Sequence, residues 1–181
     1  MALWEFEGKK PIIGEGTWVA PSADVIGDVF IGKKCYIGPG ARVRGDYGKV
    51  RVGEGCSIQE NVIIHARPEE LTTIGNYVTL GHGCIIHNAT LEDYVVVGMG
   101  AVVSDYVVMK EWSILGEAGL ARQRQEFEPG AIGVGTPSKI IGNIHDSSKK
   151  GVKDELLRFK EKYIEMASRF LKEGAFIKIQ T

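Results

Sequence analysis

Three of the four histidines of this 181-residue chain lie close together in the sequence, as His65, His82 and His87. Neutral imidazole is the commonest metal ligand in proteins, and each histidine binds zinc through one ring nitrogen. Three such ligands leave one coordination position for water, which is typical of a catalytic rather than a structural zinc site. A single histidine on a β surface is more often an ordinary polar residue. The argument for a metal therefore depends on where the fold places all three.

A six-residue repeat of aliphatic side chains predicts that fold. The repeat runs from Ile13 to Val43, resumes at Val52 and continues to Leu115. A period of six fits neither one face of an α-helix nor simple strand alternation. It fits a triangular parallel β-helix, in which each hexapeptide forms a short strand and a corner. Residues 13–118 then form about six coils, stacked at the ordinary strand spacing, and the 24 glycines fit the many tight corners.

The C-terminal part of the chain has a different pattern. Between residues 151 and 173 apolar side chains recur at helical spacing among lysines and glutamates, which predicts an amphipathic helix packed on the β-helix. Residues 146–148 offer an N-cap, and Gly174 offers a stop. We expect a β-helix domain at residues 11–145 and this helix at residues 147–174.

Two shorter segments lie towards the end of the expected β-helix domain. Residues 118–131 break the repeat of aliphatic side chains and predict a loop, and residues 133–139 predict a closing turn. The cysteines Cys35, Cys56 and Cys84 each lie four residues after a repeat aliphatic, where small side chains point inward. We expect three buried, unreactive thiols.

Composition excludes several classes of protein. The net charge of −1 argues against non-specific nucleic-acid binding, and no apolar run approaches the roughly 20 residues that span a bilayer. Charged side chains interrupt residues 1–12, so we expect no secretory signal. An odd number of cysteines without a CxxC pair favours a reducing, cytoplasmic compartment.

Counting hexapeptides around the coil assigns the histidines to faces of the prism, which we call X, Y and Z. Arg44, His65 and His87 each directly follow a repeat aliphatic of face X, in three successive coils. His65 and His87 should therefore lie on neighbouring strands, close enough to share a metal ion. His82 lies on face Z together with Gln59, and it does not reach the same metal within one chain.

A neighbouring subunit can supply His82 if its face Z packs against face X of the next subunit. Such a contact closes into a ring, and three is the natural number of subunits for a triangular prism. The prediction is a homotrimer with three equivalent sites at its interfaces; the alternative is that the histidines are polar residues of an ordinary interface. Imidazole ligands suit Zn²⁺, Fe²⁺ and Co²⁺ alike, and we take Zn²⁺ as the first candidate.

Four motifs stand out in the chain: Arg44-Gly45-Asp46, Ser57-Ile58-Gln59-Glu60-Asn61, Gly81-His82-Gly83 and Gly135-Thr136-Pro137-Ser138-Lys139. Together with His65 and His87 they resemble the motifs of the γ-class carbonic anhydrase family of left-handed β-helix proteins. The segments RGDYGKV and HARPEE are most similar to the branch that contains the phenylacetate-degradation and carnitine-operon proteins. The resemblance implies left-handed coiling and the reversible hydration of CO₂ to bicarbonate.

The resemblance also implies roles for individual side chains. It makes the three histidines the metal ligands. It implies that Arg44 and Asp46 form a salt bridge that supports the interface and the site. Gln59 is implied to form a hydrogen bond near the metal-bound solvent.

The chain departs from the prototype of that family in its acidic residues. Tyr47 stands where the prototype has a proton-transfer glutamate, and Ser57 stands where the family has an asparagine. The long acidic loop of the prototype is reduced to the insertion that contains Glu69 and Glu70. We take these two glutamates as the candidates for proton transfer.

The residues leave other functions open. The same metal suits an acyl-CoA thioesterase, with Arg122, Arg124 and Lys139 as candidates for binding the phosphates of coenzyme A. A hexapeptide acyltransferase would use a histidine as a base, and a trimeric scaffold would hold the metal for structure alone. The expected substrate is accordingly CO₂ and bicarbonate, or an acyl-CoA.

Overall fold

The chain folds as a left-handed parallel β-helix of seven coils with one helix on its side. A computed structural model describes residues 2–172 and 175. The strands of face X are β1 (Ala2–Trp4), the first halves of β4 (Asp24–Ile31) and β6 (Arg42–Val52), β8 (Ile63–His65), β11 (Ile85–His87), β14 (Val102–Val103) and β17 (Leu120–Ala121). The predicted β-helix is confirmed, and it begins at β1, before residue 11.

The other two faces complete each coil. The strands of face Y are β2 (Ile12–Ile13), the second halves of β4 and β6, β9 (Leu71–Ile74), β12 (Thr90–Leu91), β15 (Val108–Met109) and β18 (Glu126–Phe127). The strands of face Z are β3 (Trp18–Val19), β5 (Tyr36–Ile37), β7 (Ser57–Ile58), β10 (Thr79–Leu80), β13 (Val96–Val97), β16 (Ile114–Leu115) and β19 (Ala131–Val134). The last strand, β20 (Lys139–Asn143), runs antiparallel to β19 after the predicted closing turn.

The inward-facing residues fill the prism. The repeat aliphatics are almost all completely buried, as at Ile64 and Leu80. The three cysteines are at most 1% exposed and unpaired, which confirms their predicted position. Burial raises the pKa of the Cys84 thiol to about 12, so this side chain stays protonated and behaves as a small apolar residue.

The predicted loop at residues 118–131 is wrong, because this segment continues the coil. β17 and β18 pair in parallel with β14 and β15, and Ala121 and Phe127 take the buried inward positions. The sequence pattern lapses here because small and large side chains replace the usual aliphatics. The ring of Phe127 fills the space that Gly133 leaves, since a Cβ on Gly133 would lie 2.5 Å from Phe127 Cε1.

We expect the substitution Gly133→Ala to lower the free energy of unfolding by about 1–3 kcal/mol, the usual cost of overpacking a core. Phe127 is fully buried, so its ring cannot turn out into solvent to relieve the contact. Gly142→Ala is the control, because its Cβ would meet its nearest neighbour at 3.7 Å; it should change the free energy by less than about 0.5 kcal/mol. Urea denaturation measures both values, and equal losses in the two variants would contradict this account.

Helix α1 (Val152–Phe170) lies against face Z. It begins after Gly151, whose φ of +91° is readily adopted by glycine, whereas Ser147–Lys149 form a short 3-10 turn. The N-cap predicted at residues 146–148 is therefore wrong. The stop predicted at Gly174 lies outside the described residues, and the division of the chain into two domains stays a prediction. Within the described ranges, no helix is both long and apolar enough to cross a membrane.

The contact between α1 and face Z buries polar groups as well as aromatic rings. Lys160 is 3% exposed, and its Nζ donates a hydrogen bond to Thr79 Oγ1 at 3.1 Å. The hydroxyl of Ser57, opposite Thr79 in register, is buried and has no hydrogen-bond partner among the described residues. Burial lowers the pKa of Lys160 to about 8. The helix thus packs against the β-helix around a lysine whose charge is poorly compensated.

Candidate metal centre

Strand register brings His65 and His87 side by side on face X. β8 pairs with β11 so that the two histidines are opposite each other, and it pairs with β6 so that Arg44 is opposite His65. Ile64 and Ile86, which precede the histidines, point into the core. Because side chains alternate along a strand, both imidazoles point outward. The column predicted from the repeat is confirmed.

The two imidazoles fit a shared metal ion. His65 Nδ1 and His87 Nε2 are 3.3 Å apart, and the ring centroids are 5.4 Å apart. Two nitrogens that each lie about 2.05 Å from a tetrahedral zinc would be about 3.3 Å from each other. The separation of the facing nitrogens is therefore what two ligands of one ion require.

A carboxylate contacts the other nitrogen of each ring. His65 Nε2 is 3.0 Å from Asp46 Oδ1, and His87 Nδ1 is 2.5 Å from Asp105 Oδ1. Such outer partners fix the tautomer and the orientation of histidines that bind metals. Asp105 is absent from the residues selected by sequence. The signal that could have found it is its place one 18-residue coil after His87, since the corner residues of successive coils stack.

Both carboxylates are themselves held by arginines. Arg44 donates from Nε and Nη2 to Asp46 Oδ2, at 3.0 and 2.6 Å. Arg67 Nη1 donates to Asp105 Oδ2 at 2.9 Å. Burial favours the neutral acid of Asp46, but the hydrogen bonds from Arg44 and His65 outweigh it and hold the pKa of Asp46 below its usual range. Asp46 is thus an anion whose two oxygens have different partners.

His82 lies on the other face. It follows β10 on face Z, and its Nδ1 is 2.5 Å from Glu60 Oε2. The other oxygen of Glu60 accepts a hydrogen bond from the buried Tyr36 hydroxyl at 2.7 Å. Burial and this hydrogen bond raise the pKa of Tyr36, so its hydroxyl stays protonated and serves as a donor. Within the ranges described for one chain, no three histidine, cysteine or acidic side chains assemble into a metal site.

Gln59 lies beside His82 on face Z. Its strand, β7, pairs with β10 so that Ile58 is opposite Leu80, and Gln59 follows directly. The residue is only 6% exposed, yet its side-chain amide makes no hydrogen bond among the described residues. The amide is therefore available to a group that approaches face Z.

The two loop glutamates have different surroundings. Glu70 accepts hydrogen bonds from Asn88 Nδ2 at 2.5 Å and from the Tyr106 hydroxyl at 2.8 Å, and these bonds lower the pKa of Glu70. The side chain of Glu69 makes no hydrogen bond within the described part of the chain. It lines a cavity of about 220 Å³ together with Tyr47, whose ring lies 6.3 Å from that of His65.

Comparisons with known proteins place the chain in a family. A profile described as "Bacterial transferase hexapeptide (six repeats)" matches residues 10–45. "Gamma carbonic anhydrase 2, mitochondrial" of Arabidopsis thaliana is 38% identical over 76% of this chain and 52% of its own length. The match thus spans about half of that plant protein. "Carnitine operon protein CaiE" of Escherichia coli is 36% identical over 81% of this chain and 74% of its own length.

Solved structures extend the similarity over nearly the whole chain. A hexapeptide transferase family protein from Anaplasma phagocytophilum is 35% identical, with a TM-score of 0.87 over 94% of this chain and 98% of its own. A protein from Bacillus cereus described as a putative acetyltransferase reaches the same TM-score at 23% identity, over 93% of this chain and 96% of its own. The second structure shares the fold alone.

Proposed function

The chain belongs to the hexapeptide-repeat family that includes the γ-class carbonic anhydrases and CaiE, and we propose that it is a metal-dependent carbonic anhydrase. One observation carries the proposal: the facing nitrogens of His65 and His87, 3.3 Å apart, each on a ring whose other nitrogen contacts a carboxylate. An ordinary surface pair of histidines does not need two such carboxylates. The reaction is the reversible hydration of CO₂ to bicarbonate.

In this proposal His65 and His87 hold the metal, which is Zn²⁺ with Fe²⁺ or Co²⁺ as alternatives. A bound metal of this kind lowers the pKa of coordinated water towards neutrality. Asp46 and Asp105 keep the two imidazoles in the tautomers that present a lone pair to the ion. Gln59 would orient the attacking water through its side-chain amide, which has no hydrogen-bond partner among the described residues.

The third ligand is His82 of a second copy of the chain, which makes the active form a homotrimer. The outward-facing Ile63 and Ile85 lie on the same face as His65 and His87 and are more than a third exposed. Such apolar side chains beside a metal pair are expected where another subunit packs. The corner that follows β7 and β10 in that subunit, rather than the strands of face Z that α1 contacts, would bring its His82 and Gln59 to the site together.

Proton transfer falls to Glu69 rather than to Glu70. The hydrogen bonds that lower the pKa of Glu70 make it a weaker proton acceptor than an ordinary glutamate. Glu69 has no such partners among the described residues, and the cavity that it lines reaches Tyr47, next to His65. A proton that leaves the site can therefore pass to solvent through this loop.

We further place the protein in a reducing compartment, such as the cytoplasm. The support is the three cysteines, which are buried, unpaired and distributed over different coils. The Arabidopsis relatives are mitochondrial by name.

Stopped-flow CO₂ hydration tests the proposed function. The purified protein is assayed without metal, with zinc, and with iron under anaerobic conditions, beside the variant His82→Ala. We expect turnover that depends on the metal and is lost in the variant. Absence of turnover in every metal form, or activity that survives the substitution, would overturn the proposal.

An acyl-CoA thioesterase is the second candidate, because Arg124 lies one coil beyond Asp105, the carboxylate that contacts His87. The backbone N–H of Arg124 donates to the carbonyl of Asp105, and the Arg124 guanidinium lies 4.5 Å from the centre of the Tyr106 ring. A cation one coil away from the metal-site carboxylate is placed to bind the phosphates of coenzyme A. Hydrolysis of short or aromatic acyl-CoA esters without CO₂ hydration would favour this candidate. Bound metal without either activity would favour the scaffold.

We expect Asp105→Ala to weaken zinc binding about 10- to 100-fold, the usual effect of removing an outer partner of a histidine ligand. The substitution frees His87 to rotate and to change tautomer. Asp93→Ala is the control, because the Asp93 carboxylate also accepts hydrogen bonds at a corner but, among the described residues, accepts them from Asn76 and not from a histidine. Competition with a chromophoric chelator measures the dissociation constant, and equal affinities in both variants would contradict the assigned role.

A further inference from the structure

We infer that the C-terminal helix positions the third histidine of the metal site, acting through Tyr36 and Glu60. The inference rests on the proposed function, in which His82 binds the metal at a subunit interface. It assigns Tyr36 and Glu60 as positioning residues, and it gives α1 a part in the site beyond packing.

Glu60 links Tyr36 to His82, because each of its two carboxylate oxygens contacts one of these residues. Oε1 accepts the hydrogen bond from the Tyr36 hydroxyl at 2.7 Å, whereas Oε2 is 2.5 Å from His82 Nδ1. Oε2 is buried and has no aligned hydrogen-bond donor among the described residues. A buried carboxylate oxygen without a donor is costly, and a proton on His82 Nδ1 is the nearest group that can supply one.

The short distance favours the tautomer of His82 that carries its proton on Nδ1. A proton held on Nδ1 leaves Nε2 with a free lone pair, and the side chain of His82 is 47% exposed on the outer surface of face Z. Only a nitrogen that carries no proton can bind a metal. Glu60 therefore prepares Nε2 as the ligand before a second subunit arrives.

Tyr36 keeps Glu60 in this orientation because its own ring is enclosed. The ring is 2% exposed and lies between Trp18, at a centroid distance of 5.2 Å, and two side chains of α1. These are Tyr163 at 5.1 Å and Phe170 at 6.2 Å. The helix thus supplies two of the three rings that enclose Tyr36 and hold its hydroxyl beside Glu60.

The hydroxyl of Tyr36 is what distinguishes positioning from packing. A phenylalanine would fill the same enclosure and keep the contacts with Trp18 and α1. It would release Oε1 of Glu60 and let the carboxylate turn away from His82. A purely structural role for Tyr36 would therefore leave metal binding unchanged in Tyr36→Phe.

The experiment measures zinc affinity by chelator competition, and the tautomer of His82 by ¹⁵N–¹H correlation spectra of the metal-free protein labelled at histidine. Tyr36→Phe should weaken zinc binding about tenfold, as removal of an outer partner does, and should reduce the signal of the Nδ1-protonated form. Tyr77→Phe is the matched control, because it removes another hydrogen bond from tyrosine to glutamate, to Glu54 at 3.2 Å, remote from the histidines. It should change neither readout.

Two further variants test the contact of α1 with Tyr36 and the contact of Glu60 with His82. Tyr163→Ala opens the enclosure from the helix side and should shift both readouts in the same direction as Tyr36→Phe. Glu60→Gln places an amide beside His82 Nδ1. When the amide N–H donates to Nδ1, the proton of His82 moves to Nε2, the opposite tautomer. This variant should weaken zinc binding at least as much as Tyr36→Phe does. These variants also test the inference if Tyr36→Phe does not fold.

The outcomes separate the inference from the function on which it rests. If His82→Ala loses zinc while Tyr36→Phe and Glu60→Gln bind it as the wild type does, the inference is wrong and the metal site stands. If His82→Ala binds zinc as tightly as the wild type, the proposed site is wrong and the inference fails with it. Equal effects of Tyr36→Phe and Tyr77→Phe would also overturn the inference.

Discussion

An equal mixture of His82→Ala and His87→Ala subunits is expected to recover about a quarter of the metal sites of the wild type. In randomly assembled trimers, about one interface in four joins the His65 and His87 of a His82→Ala subunit to the His82 of a His87→Ala subunit. Neither variant alone should hold any complete site. In the mixture, a subunit with intact His65 and His87 can meet a neighbour with intact His82. Such an interface again has three imidazoles.

The matched control mixes His65→Ala with His87→Ala. These two histidines face each other within one chain, so no arrangement of the two kinds of subunit restores a complete site. Zinc per trimer and CO₂ hydration are measured on co-expressed, doubly tagged assemblies. Recovery in both mixtures, or in neither, would contradict a site that is shared in this way.

The second large effect concerns Lys160, whose substitution by methionine is expected to remove a pH dependence of stability. The pKa of Lys160 is about 8 in the folded protein and 10.5 in an unfolded reference. Between these values the unfolded chain binds more protons, so the free energy of unfolding rises with pH. The full rise is at most about 3 kcal/mol, at 1.36 kcal/mol per pKa unit. Below pH 8 the wild type bears the whole cost of the buried charge.

Lys160→Met should therefore be more stable than the wild type at pH 7, and its advantage should shrink as the pH rises to 10. Lys162→Met is the control, since Lys162 is an exposed lysine of the same helix. Urea denaturation at fixed protein concentration, at pH 7 and 9.5, gives the free energy of unfolding of the wild type and of each variant. The difference between a variant and the wild type at one pH removes the contribution of other titrating groups. A variant that is less stable than the wild type at pH 7 would show that Lys160 is well solvated.

The sequence predicts the β-helix and the register of its strands because hexapeptide spacing is set by local geometry. Each coil repeats the same strand and corner, so Ile64 and Ile86 fix the neighbours His65 and His87 without knowledge of the rest. The same reasoning fails at residues 118–131. There the core is filled by a large side chain beside a small one, with the Phe127 ring in the space next to Gly133, and not by aliphatic side chains of similar size. Volume complementarity depends on three-dimensional contact, which spacing alone does not describe.

The outer partners of the histidines were harder to predict for a different reason. Asp105 and Glu60 lie at corners, where small insertions change the offset between coils, and acidic residues are common at exposed corners. The contact of Tyr36 with α1 joins segments more than a hundred residues apart. No periodicity relates a helix to the strand that it covers, so this part of the candidate site required the structure.

The antiparallel strand β20 has a consequence for the behaviour of the protein in concentrated solution. A parallel solenoid offers unpaired backbone groups at its last coil, and these can template another copy. Here β20 occupies the edge of β19, while the turn before it bonds to Leu120 through the carbonyl of Gly135 and the N–H of Ser138. The parallel strands of face Z thus end at β20, whose antiparallel direction does not allow a further parallel coil to continue from it. Loss of this hairpin would expose the edge of β19, on which a strand of another copy could then pair end to end.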